Sequence, residues 1–95
     1  MIKLTREHFT LELCGTSYYL YCRLQEDTNE GIEVCIEPLF GGYYVALYEL
    51  SSRILIMEKD YLKWSGQTTP EAEQKLVEMA NKQVNAYMKF IHPTL

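Results

Sequence analysis

The chain has 95 residues, 47% of them hydrophobic and 13% aromatic, with nine Lys and Arg against thirteen Asp and Glu for a net charge of −4. That length holds one domain with a thin core, and the composition is too apolar and aromatic for a disordered chain. The acidic balance argues against nonspecific binding to nucleic acid or to anionic membranes, both of which need clustered cations, and no stretch approaches the ~20 apolar residues of a spanning helix.

Residues 1–10 alternate charged and apolar side chains and hold no apolar signal-peptide core, so a cytoplasmic protein is expected. Glu7 to Cys14 reads as a first strand, because Phe9, Leu11 and Leu13 alternate with His8, Thr10 and Glu12. Gly15-Thr16 suits a two-residue type II′ turn into a second strand, Ser17 to Gln25. That turn pairs Cys14 with Ser17, Leu13 with Tyr18, Leu11 with Leu20 and Phe9 with Cys22. The other face then pairs Glu12 with Tyr19, Thr10 with Tyr21 and His8 with Arg23. Turn chemistry and parity give the same register, and a slip of one residue would scramble both faces.

Gln25 to Gly31 is a polar, acidic loop. A third strand, Ile32 to Glu37, pairs Leu24 with Ile32, Cys22 with Val34 and Leu20 with Ile36, and Pro38 then stops its ladder donation. Gly41-Gly42 lies in the turn before a fourth strand, Tyr43 to Glu49. Arg53 to Trp64 fits two patterns: the spacing Ile54, Met57, Tyr61, Trp64 suits a helix capped by Ser51 or Ser52, but the β-branched apolar run Ile54 to Met57 favours a fifth strand, Arg53 to Glu58, with Lys59 to Trp64 as a short helical turn. The last element is a helix over 70–91. Thr69 is its N-cap and Pro70 its first residue, and apolar residues from Ala72 to Ile91 recur at steps of three and four. Glu71 with Lys75, and Glu78 with Lys82, form i, i+4 pairs, and Pro93 ends the helix.

Strands first and one long helix last define an α+β domain spanning 1–95: an antiparallel sheet of four to five strands with the helix packed on one face. The helix is expected to cover Phe9, Leu11, Leu13, Leu20, Leu24, Ile32, Val34, Ile36, Val45 and Leu47. The opposite face carries Thr10, Glu12, Tyr19, Tyr21, Arg23, Glu33, Cys35, Tyr44, Ala46 and Tyr48.

Tyrosine favours strands, so these rings have an ordinary role in tiling a sheet. Four of one parity also make a broad amphipathic surface of the kind that docks proteins. The expectation is therefore a small, acidic, non-enzymatic interaction module, an adaptor, subunit or inhibitor acting by surface occupancy. Its partner is another protein or a second copy in a homodimer, with Tyr19, Tyr21, Tyr44, Tyr48, Arg23 and Glu12 at the contact. The alternative is a single-stranded nucleic-acid binder stacking bases on the same rings, disfavoured by Glu12, Glu33, Glu37 and Glu49 around them.

Neither cofactor nor metal nor small-molecule substrate is expected. The cysteines, 14, 22 and 35, are odd in number and lack disulfide or zinc spacing, and His8 and His92 stand at opposite ends. No Gly-rich phosphate loop is present. A Cys35–His8–Glu33 nucleophile is ruled out by the intervening second strand, which puts Cys35 nearly 10 Å from His8. No catalytic residue is assigned.

Overall fold

In the computed structural model, residues 3–14, 17–25, 31–39, 41–57, 60–64 and 69–91 are described. The Gly15-Thr16 turn, the acidic residues 26–30 and the Pro93 stop lie outside them. The chain forms strands β1 (Thr10–Cys14), β2 (Ser17–Gln25), β3 (Gly31–Leu39), β4 (Gly42–Glu49) and β5 (Asp60–Lys63), then helix α1 (Pro70–Ile91). The strands pair in sequence order β1-β2-β3-β4-β5, every neighbour antiparallel. The architecture is α+β.

The local chemistry explains each element. In the first hairpin Leu11 faces Leu20 and Glu12 faces Tyr19, the register that the turn and the parity require. In the second, Leu20, Cys22 and Leu24 face Ile36, Val34 and Ile32. Gly42 permits the β4–β5 pairing, since a Cβ there would lie 2.2 Å from the Leu62 carbonyl oxygen. At the start of α1 the Ala72 amide donates to Thr69 Oγ1 at 3.2 Å, and the Glu73 amide donates to the Thr69 carbonyl at 2.9 Å. The cap thus satisfies donors that a first helical turn leaves free.

The inner face of the sheet and one stripe of α1 make the core. Leu20, Val34, Ile36, Val45 and Leu47 pack with Leu76, Val77, Ala80 and Val84. Burying a Val or Leu side chain contributes about 1.5–3 kcal/mol, so this layer dominates stability. Gln83, buried within it, donates to the Val45 carbonyl at 3.2 Å and to Asp60 at 3.0 Å, tying α1 to β4 and β5. A segment before β1 closes the remaining gap. Leu4 and Phe9 enter the core, and the Asn81 amide grips both backbone polar groups of Leu4, accepting from its N–H at 2.6 Å and donating to its carbonyl at 2.8 Å.

Four expectations need correction. The third strand does not stop at Pro38 but runs to Leu39, with Pro38 facing Tyr43 and Leu39 facing Gly42, because proline withholds only its own N–H. The first strand starts at Thr10, not Glu7: Arg6–His8 is a 3-10 turn, in which the Thr5 amide donates to His8 Nδ1 at 2.9 Å. His8 therefore does not stand opposite Arg23. The fifth strand is Asp60–Lys63, inside the stretch expected as a helical turn, and residues 53–57 form no strand; residues 58 and 59 lie outside the described ones. Leu50 to Arg53 form a turn in which Arg53 takes a left-handed conformation, φ 62°, its amide bonding to the Glu49 carbonyl. The chain after it meets β4 through one bridge, Tyr48 to Leu55, and the register then slips by two residues before Asp60 faces Val45. The run Ile54 to Met57 therefore ends half outside, with Ile54 and Leu55 exposed and Ile56 and Met57 half-buried. Finally, Leu11 and Leu13 are each 54% exposed. They share the inner parity, but α1 packs over β3 and β4 and does not reach them.

Candidate functional site

The residues expected at a contact surface all lie on the face opposite α1. Their order follows from three cross-strand rows. Arg23, Glu33 and Tyr48 form one row; Thr10, Tyr21, Cys35 and Ala46 form the next; Glu12 with Tyr19, and Glu37 with Tyr44 and Tyr61, form the third. Tyr19, Tyr21, Tyr44 and Tyr48 are half-buried, Arg23 and Glu12 are exposed, and the Arg53 guanidinium lies over the Tyr48 ring.

The organising group is Glu33, which is only 2% exposed although it sits on the face away from the core. Arg23 Nε donates to one of its oxygens at 2.8 Å, while Arg53 Nη1 and Cys35 Sγ donate to the other at 2.7 and 3.0 Å. Burial pushes the Glu33 carboxyl up, but the hydrogen bonds from Arg23, Arg53 and Cys35 outweigh it and hold the group below its ordinary value. The pairing with Glu33 raises both arginines in turn.

Each guanidinium also lies against a ring. Arg23 Cζ is 5.1 Å from the Tyr21 centroid and Arg53 Cζ is 5.4 Å from that of Tyr48, within cation–π range. Tyr19 and Tyr21 tilt together with centroids 5.8 Å apart. At the far row Tyr19 donates to Glu12 at 3.0 Å, and Tyr44 donates to Glu37. Burial and the Glu12 hydrogen bond push the Tyr19 phenol up to about 12. Burial, followed by the charge of Glu37, raises Tyr48. The Tyr19 phenol therefore stays neutral at physiological pH and keeps donating to Glu12.

The layer thus resembles a second, polar core laid flat on the sheet. Cys35 and Ala46, which are small, are fully buried beneath it. Burial and the adjacent Glu33 drive the Cys35 thiol far above its ordinary value, so it stays protonated and is a poor nucleophile. Among the described residues no group of three His, Cys, Asp or Glu is arranged to hold a metal ion. Among them, too, no helix is long and apolar enough to cross a membrane.

Sequence reasoning placed the four tyrosines, Arg23 and Glu12 on this face. It treated Glu33 as a flanking carboxylate and Arg53 as part of a strand. The Glu33 contact was within reach, because pairing Leu24 with Ile32 also sets Arg23 opposite Glu33. Arg53 carried no comparable signal, since its position depends on a left-handed turn residue that is not glycine.

The chain matches no protein-family model, no curated protein and no solved structure. Its function is argued from the site itself.

Proposed function

We propose that this chain is a small non-enzymatic protein-interaction module that acts by occupying a surface, as an adaptor, subunit or inhibitor. Its contact face is the outer side of the sheet, with Tyr19, Tyr21, Tyr44 and Tyr48 as the area and Arg23 and Glu12 as polar orienters. The observation that carries this reading is the fixing of the aromatic face. Glu33 anchors Arg23 and Arg53, the arginines lie on Tyr21 and Tyr48, and Glu12 and Glu37 hold Tyr19 and Tyr44. A surface ordered before binding loses little side-chain freedom on binding, which favours hot-spot contacts.

The test compares faces. A photo-crosslinking amino acid placed at Tyr48 should form covalent adducts with a protein partner or a second copy. The same group at Lys82, on the exposed side of α1, should not. Adducts from Lys82 and none from Tyr48 would reject the sheet face.

A further inference from the structure

The outer face is electrically polarised along the strands, and its two ends are complementary. One end is the row of Arg23 and Glu33, joined by Arg53 from the β4–β5 connection. There two guanidinium groups share one carboxylate and leave a net positive charge. Among the described residues, the bonds to Glu33 are the only hydrogen bonds either side chain makes. Each guanidinium carries five N–H donors, so most of them remain available. Both arginine side chains are 56% exposed. The other end is the row of Glu37 and Glu12, two carboxylates held by Tyr44 and Tyr19, and it stays net negative with the exposed Lys63 one pleat further out on β5. The rows lie four residues apart on each strand, about 13 Å. Between them runs a low strip containing Cys35 and Ala46, both fully buried.

The cationic end is held in place at a cost. Burying the Glu33 carboxylate is unfavourable without its partners. Placing two arginines on one carboxylate sets like charges side by side, and the left-handed conformation of Arg53 is strained for a residue with a Cβ. The result is a pair of guanidinium groups fixed over a buried anion, with free donors facing outward. That arrangement suits one further carboxylate placed above Glu33.

We propose that the occupant of this face is a second copy of the chain, docked face to face about a two-fold axis. The axis lies in the interface, crosses the strands and passes over the Tyr21–Cys35–Ala46 row. Such an operation preserves the strand position and exchanges the two ends. It sets the partner copy's anionic row over this copy's cationic row. On β3, Glu37 of the second copy then comes above Glu33, between Arg23 and Arg53, and the contact is made twice. Turning the copy so that its strands run the other way sets arginine over arginine, and the like charges exclude that orientation. This proposal rests on the outer face being the contact surface and adds the identity and orientation of what covers it.

The experiment is sedimentation equilibrium of the purified full chain over a range of protein and salt concentrations. The expected result is a monomer–dimer equilibrium that weakens as salt rises. Glu12→Lys combined with Glu37→Lys should raise the dimer dissociation constant by about tenfold or more, since each reversal acts at both symmetric contacts. Arg23→Glu should do the same. An equimolar mixture of the Glu12→Lys/Glu37→Lys chain with the Arg23→Glu chain should restore the dimer, because opposite ends again match. Circular dichroism melting separates loss of docking from loss of fold. Glu12→Lys alone, at an exposed site that does not touch Glu33, provides a gentler version with a smaller effect of the same sign.

A wild-type chain that remains monomeric at its highest soluble concentration overturns the proposal. So does a dimer indifferent to the reversals, or a mixture of folded variants that fails to reassociate. A monomer that retards single-stranded oligonucleotides through Arg23 overturns it in favour of a phosphate ligand. If self-association fails while Tyr48 still crosslinks another protein, the contact face stands and only the choice of occupant falls.

Discussion

Ile32, Val34 and Ile36 on one side of β3 are buried by a helix, while Glu33 and Cys35 on the other side are buried by side chains of the sheet and its flanking turn. Similar degrees of burial come from two different chemistries. The inner layer is apolar and nondirectional, so its energy follows area and packing. The outer layer is a set of directed bonds centred on one carboxylate, so its energy depends on each group keeping its partners. The inner face gives the domain its stability. The outer face gives it a defined pattern of charge and rings at the surface.

That difference is open to measurement, with the largest effect on the inner side. Leu47→Ala, at a fully buried position over which α1 packs, should cost about 3–4 kcal/mol in urea denaturation. Its outer counterpart is Glu33→Gln, which removes the shared anion and leaves two arginines without their anchor. It should cost about 2 kcal/mol, and the Arg53 turn should become more susceptible to proteolysis.

The two layers should also respond differently to acid. The Glu33 carboxyl is lower in the folded state than its ordinary value of 4.5, so its contribution is complete above that value and is lost as pH falls through the folded pKa. The stability gap between wild type and Glu33→Gln should be flat above about pH 4.5 and shrink below it, when both are followed by denaturant titration. A gap unchanged on acidification would mean that the carboxylate is not what holds the outer layer. The smallest effect belongs to the inner parity beyond the helix. Leu11→Ala or Leu13→Ala should change stability by no more than ~0.5 kcal/mol, because both side chains already face water.

The sequence carried most of the fold because its signals there are local. Matched parity on the two strands determines the β1–β2 register, and a cap, a proline and a 3.6-residue period determine α1. The fifth strand was misplaced because its neighbours hide the decisive residue. Ile54 to Met57 is the more strand-like run, yet the left-handed Arg53 turn and the two-residue slip deliver Asp60 to Lys63 to the edge instead. Parity assigned Leu11 and Leu13 to the correct face, but it carries no information on how far a helix reaches across that face. At the candidate site, parity set the tyrosines on one side. The burial of Glu33 needs Arg53 from twenty residues away, and alternation along a strand contains nothing of that closure.

The Asn81 grip on Leu4 joins groups 77 residues apart. On a ribosome adding roughly 5–20 residues per second, several seconds separate the two. The meander of adjacent strands has short loops to close and can pair while the chain is still emerging. Leu4 has no amide to hold it until the middle of the helix has been made. The segment around Leu4, made well before its partner Asn81, is therefore among the last to dock.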